Sequence, residues 1–346
     1  MIGSMLSGLA DVTRLPVTVW VGLAQIAQFV VFIYCLLRVL SGRFKPFWYV
    51  LLLLSPATLL FSFFEVSGVG RKETLYFALL TWFVLGLDRQ RVTVLQTLVW
   101  TAVSVAITLS HELILFYAPY YLIAAMGVPK PQRAQALRAA GIMLLGSWMA
   151  GAAVLLLAKP LDGPAFCDTL MQSGLSSTVC QGIVLWKLQD LRSSFDETLL
   201  TIRYFGYLKT YAMALVLSLA PVFVWLRRYR PGTVRLHLRW MVAAWAWSSL
   251  AFLLAVDWGR FIQIHLVSAL VVLALRLRRR DATALAAPSV PRLNVPSTKV
   301  RWGLAILCML PPIFWHMPTC CESGIGGGVA GKAEHGVVAI MRLAGL

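Results

Sequence analysis

Residues 17–40 read VTVWVGLAQIAQFVVFIYCLLRVL, and this stretch decides the fold class. No charged side chain precedes Arg38 within it, and its length meets the roughly 20 apolar residues a helix needs to cross a bilayer. Within hydrocarbon a backbone must satisfy its own hydrogen bonds, which a helix does alone. Transmembrane β-strands are shorter and alternate polar with apolar residues, whereas this run is continuous.

The rest of the chain has the same character. Of 346 residues 59% are hydrophobic and 13% are charged, against about 25% charged in soluble domains. One water-soluble core would leave large apolar patches outside, so the expected fold is an all-α, polytopic membrane bundle. Candidate spans fall at about 17–40, 46–64, 74–88, 92–109, 112–127, 139–158, 204–226, 239–256, 261–275 and 301–317, about ten transmembrane helices in all. Ser110, His111 and Glu112 divide the stretch 92–127, which is too long for one span, into two. Residues 1–275 then form the bundle, with a large polar loop at 159–203; 276–299 form a basic, Pro-containing linker; 300–346 hold the last span and a tail.

The net charge of +17 would suggest nucleic acid in a soluble protein. Here its distribution sets orientation instead. Alternate loops and helix ends, from Arg38, Arg43 and Lys45 through the run at 276–280, collect 20 of the 31 basic residues. They hold only two of the 14 acidic ones, Asp88 and Asp281. By the positive-inside rule these loops are cytoplasmic, which places both termini and 159–203 outside. The location implied is a bacterial inner membrane, with no nucleic-acid partner. The first apolar run exceeds a signal peptide's apolar length and is followed by basic charge, so it reads as a retained helix.

Cys35 and Cys308 lie in apolar runs and read as packing residues, while Cys167, Cys180, Cys320 and Cys321 fall on the outer side. At least one disulfide is expected there, with three pairings open. Zinc lacks a C-x-x-C pair or clustered His; no cofactor is expected, and a divalent metal stays open. The Gly326, Gly327, Gly328 run has neither the preceding strand nor the closing Gly-Lys-Ser/Thr of a phosphate loop.

Three outer-side constellations could carry chemistry. FEVSGVGRKET, 64–74, sets Arg71 and Lys72 beside Glu73. Cations on this face run against the orientation signal, and an anionic substrate would explain them through bidentate guanidinium contacts. The plainer reading is an interfacial loop that meets lipid headgroups. His111 and Glu112 sit between apolar runs, where ionisable groups are costly unless they face a cavity or a partner. They read as a general base with its orienting acid, or as a polar helix junction. Asp257 and Arg260, in DWGRF at 257–261, are spaced to pair across one helical turn, with His265 farther along. That pair reads as part of a site or as an ion pair capping two helices. Arg203 and Lys209 are lesser candidates on the same side, and the carboxylates of 159–203 read as solvated. Tyr117, Tyr120 and Tyr121 could stack on a sugar, with bundle packing the plainer alternative.

The GRKE element at 70–73, the His111 and Glu112 pair and DWGRFI at 257–262 resemble elements of Wzy-type and EpsG-like bacterial surface-polysaccharide polymerases. The resemblance covers a small part of the chain. It implies polymerisation of polyprenyl-diphosphate-linked oligosaccharide units on the periplasmic face, with a chain-length regulator or flippase of the same pathway as partner. Arg71, Arg260 and Arg203 would hold the diphosphate, and His111 or Glu112 would activate the acceptor hydroxyl. Alternatives in the same class are a lipid-sugar-dependent glycosyltransferase, though the first outer loop lacks a D-x-D pair, and an O-antigen ligase. From other classes come a transporter or flippase, without the internal repeat that transport predicts, and a structural membrane subunit.

Overall fold

The computed structural model describes residues 2–41, 53, 55–61, 72–88, 92–111, 113–157, 163–172, 191–226, 231–284 and 315–318. Among them all regular secondary structure elements are helices. In chain order they are α1 (Ile2–Thr13), α2 (Val17–Leu40), α3 (Glu73–Asp88), α4 (Val94–Ser110), α5 (Leu113–Tyr117), α6 (Pro119–Met126), α7 (Lys130–Leu157), α8 (Gly163–Gln172), α9 (Leu191–Tyr204), α10 (Tyr207–Leu226), α11 (Pro231–Leu254) and α12 (Trp258–Ala284).

Three of these, α2, α7 and the Trp258–Arg276 part of α12, are long and apolar enough to cross a membrane. They differ in what surrounds them. In α12 the apolar stretch is 89% buried, whereas α2 and α7 bury 28% of theirs. α12 is therefore the hub, and α2 and α7 turn most of their apolar surface outward, through Val30, Tyr34, Leu145 and Met149 among others. Water would not tolerate such a perimeter; hydrocarbon would.

Contacts fix the helix directions. Lys72, just before α3, meets Ser110 at the end of α4, while Trp82 and Phe83 meet Trp100 edge-on. α3 and α4 are thus antiparallel neighbours. α12 runs parallel to α3: Arg260 reaches Glu73, and eight residues on Ser268 donates to the Tyr76 hydroxyl. α6 runs the same way, with Tyr120 bonded to His265 and the Ile123 carbonyl to Arg276. α11 is antiparallel to α12, because Ser248 bonds His265 and the Phe252 carbonyl receives Trp258 Nε1–H. One end of the bundle therefore gathers Lys72, Glu73, Ser110, Asp257 and Arg260. The other gathers Val92, Gly127, Arg133 and Arg276.

Several elements differ from the sequence reading. Within the expected span 112–127, residues 113–126 form two short helices, because Pro119 cannot donate to the preceding turn and so starts α6 at its first position. Residues 55–60, inside the expected second span, form a turn around Pro56, with Thr58 Oγ bonded back to the Leu53 carbonyl at 2.5 Å. Residues 315–317, read as the end of the last span, are non-helical. α12 continues to Ala284, into the stretch read as linker, and α1, α8 and α9 form outside the ten spans. Most of 301–317 and the glycine run lie outside the described residues.

Candidate functional site

The charged end of the bundle begins with Arg260 in the first turn of α12. A cation is disfavoured beside the exposed N–H groups of a helix start. Two carboxylates offset this. Nη1 donates to Glu73 Oε1 at 2.9 Å, and Nη2 pairs with Asp257, one turn back in the chain. Glu73 itself lies in the first turn of α3, where the same helix-end field favours a carboxylate. The three side chains are mostly enclosed, with 7% of Glu73, 16% of Arg260 and 19% of Asp257 exposed. Arg260 Nε is buried and has no hydrogen-bond partner among the described residues.

Lys72 supplies the second cation. Its Nζ donates to the Ser110 carbonyl at 2.6 Å. Ser110 ends α4, and the last carbonyls of a helix lack intrahelical partners, so an ammonium is well placed there. His111 follows as the C-cap residue, with extended backbone and half-buried. Three segments far apart in sequence, at 72–73, 110–111 and 257–260, thus meet at one end of the bundle. The formal charges of Lys72, Arg260, Glu73 and Asp257 cancel.

Beneath the ion pairs lies a layer of buried rings. Tyr76 contacts Tyr117 and Tyr121 with centroids 5.7 and 5.8 Å apart. The Tyr117 hydroxyl donates to the Phe261 carbonyl, next to Arg260, and Tyr76 donates to the Tyr117 carbonyl. His265 is fully buried, held by Tyr120 at 2.8 Å and Ser248 at 2.6 Å, and stacked on Trp245. Since Tyr117, Tyr120 and Tyr121 are each at most 1% exposed, none offers a face to a sugar. This layer ties α3, α5 and α12 together directly next to Arg260.

Above, a strap formed by residues 315–318 crosses the start of α12. Tyr211 donates to the Pro318 carbonyl at 3.2 Å, and Trp315 and Met317 are buried with Tyr207, Val256 and Ile262. Gly259 permits the crossing. A Cβ there would stand 2.1 Å from the Pro318 carbonyl oxygen and 3.3 Å from the Phe61 ring. The turn at 55–60 is fastened alongside, where Gln263 donates to the Thr58 carbonyl.

The structure brings together Lys72, Glu73, Asp257 and Arg260, with His111 adjoining. Arg71 and Glu112 lie outside the described residues. Arg203 is exposed on α9 and makes no ion pair among the described residues, and Lys209 is exposed on α10. Of the four cysteines that the sequence assigns to the outer side, only Cys167 is described, and it does not titrate as a free thiol because it is disulfide-bonded. Among the described residues no three His, Cys, Asp or Glu side chains cluster as metal ligands. The reading of the sequence did not anticipate the strap, the Tyr76 and Ser268 bond or the Gln263 anchor. Gly259 beside a charged pair was the one signal pointing to a close crossing. Comparison with protein-family models, curated proteins and solved structures returns no match.

Proposed function

We propose that this chain is a multi-pass inner-membrane glycosyltransferase of about ten spans. It polymerises polyprenyl-diphosphate-linked oligosaccharide units on the periplasmic face. The observation that carries the reading is the convergence of 72–73, 110–111 and 257–260 at one end of a helical bundle whose outer helices turn apolar surface outward. The helix directions support it further, since they match the alternation of basic and non-basic loops and set Arg133 and Arg276 at the opposite end.

In this reading the acceptor hydroxyl attacks the anomeric carbon of the donor unit. One C–O bond forms as the bond to the diphosphate breaks, and polyprenyl diphosphate leaves with the electron pair. Lys72, Arg260 and Arg71 stabilise the charge growing on the leaving phosphate, as fixed donors do best where water is excluded. Asp257 and Glu73 hold the guanidinium in place beside the phosphate. His111, Glu112 or Asp257 accepts the hydroxyl proton. Arg203 has no part in the cluster. Disulfide pairing on the outer side would fasten the large loop, and a chain-length regulator or flippase is the partner implied.

A second reading is favoured by the closure of the ion pairs on each other: Glu73, Arg260 and Asp257 would clamp α3 to α12 in a structural subunit. One experiment separates the two. A strain lacking the gene is complemented with the wild-type chain or with Arg260→Lys, and surface glycan, lipid-linked intermediates and membrane protein level are measured. The polymerase reading expects loss of long chains with single repeat units retained, and Arg260→Lys present at normal level but inactive. An incomplete repeat unit would mean a single-sugar transferase. An unchanged glycan profile would end the polysaccharide reading, and reduced membrane level of Arg260→Lys would favour the clamp.

A further inference from the structure

α9 presents an unusual outward face. At 100° per residue, Arg192, Asp196, Leu199, Leu200 and Arg203 fall within an arc of about 100°. All five are exposed, Leu200 by 67%. The opposite side is polar and buried, through Thr198 and Thr201. At the end of the helix Tyr204 is 80% exposed, and Phe195 adds another open ring. A helix in water would bury its leucines; this one exposes Leu199 and Leu200 and buries Thr198 and Thr201. The backbone positions of Arg192 and Arg203 stand about 16 Å apart along the axis, with the exposed Asp196 and the two leucines between them.

Position completes the case. Gly206, at φ +61°, ends α9 and turns the chain into α10. The first residues of α10, Tyr207 and Tyr211, pack on Trp258, which places α9 at the same end of the bundle as Asp257 and Arg260. α10 then shows an open apolar side, with Leu208, Met213 and Val216 more than half exposed. The helix that follows α9 in the chain therefore offers acyl chains an apolar side of its own.

We propose that α9 lies along the outer surface of the bilayer. Leu199 and Leu200 enter the acyl boundary, while Arg192 and Arg203 reach lipid phosphates. Long cationic side chains bury their stems and extend their heads to the interface in this way, and Tyr204 suits the same depth. Lipid is favoured over a soluble anion because leucines lie between the cations. The proposal rests on the membrane-spanning reading above.

The test uses the full chain in phosphatidylcholine nanodiscs, with a coumarin amino acid at position 200 or, as control, at position 216 on α10. Lipids carry a nitroxide near the headgroup or near the chain end. At position 200 the shallow nitroxide should quench at least about twofold more than the deep one, as for a helix seated at the headgroup boundary. At position 216 the deep nitroxide should quench. Arg192→Gln combined with Arg203→Gln should lower the shallow quenching at position 200 about twofold; unchanged quenching would remove the phosphate contacts from the proposal. Quenching at 216 without quenching at 200 overturns the placement of α9 and leaves the spanning reading intact. If position 200 is unquenched yet shielded from aqueous iodide, a second protein copy covers this face and the proposal fails. No quenching at 216 sinks the spanning reading and this inference with it.

Discussion

Arg260 concentrates the energetics of the charged end. A guanidinium this enclosed is expensive to desolvate, and its two carboxylates repay the cost only while both are present. Removing one partner leaves the larger penalty, because the remaining charge stays inside. Glu73→Gln should therefore destabilise the chain by about 2 kcal/mol, below the value for a fully buried pair because Arg260 keeps some solvent. The thermal midpoint in detergent would show it, and Asp257→Asn, at the more exposed partner, should cost less. A midpoint unmoved by Glu73→Gln would mean that the pair is worth nothing in the folded state. Asp257 with Arg260 was legible from spacing alone. Glu73 as the second carboxylate was not, because 187 residues separate it from Arg260 and only the packing of α3 on α12 joins them. Arg203 is exposed on α9 and makes no ion pair among the described residues, which its position in the sequence did not foretell.

At the scale of elements, the strap at 315–318 and the start of α12 depend on Gly259. A methyl group there meets a backbone oxygen, which cannot rotate away as a side chain would. Gly259→Ala should cost about 2 kcal/mol through overpacking. Met317→Ala should not restore the loss, since the Met317 side chain stands farther off, at 3.2 Å. Thermal unfolding of the single and double variants checks both statements, and full rescue by Met317→Ala would place the strain in the side chain instead. The long apolar helices α2, α7 and α12 were legible because continuous hydrophobicity leaves little choice of solvent. α1 and α9 were not, because short, mixed sequences take their helical form from what they pack against. The division of 113–126 into α5 and α6 follows from one proline, Pro119, a weaker signal in the sequence than His111 and Glu112 beside it.

For the molecule as a whole, helix direction is the property that links charge to function. If the basic end faces the cytoplasm, reporter fusions at 128–130 and 227–230 should be active as cytoplasmic fluorescent proteins. Fusions at 205–206 should be active as periplasmic phosphatase. Phosphatase activity at 128–130 would invert the bundle and move the charged site to the cytoplasm, where a periplasmic polymerase could not work. The central position of α12 explains why this arrangement is stable: Ser268, His265 and Gln263 find partners on α3, α6, α11 and the turn at 55–60. Each bond is made in surroundings with no competing water, so leaving one open would cost more than it does at a surface.

The amino-acid order alone determined the helical class, the outward apolar surface and the alternation of charge, because these depend on composition and on residues adjacent in the chain. It also marked the three segments that hold ionisable groups where they are costly. Which of those groups meet was decided by tertiary structure. Arg260 found Glu73, and Lys72 found the end of α4, through helix packing that no local spacing encodes. The exposure of Arg203 was decided there too, by the face with Thr198 and Thr201 that α9 turns inward.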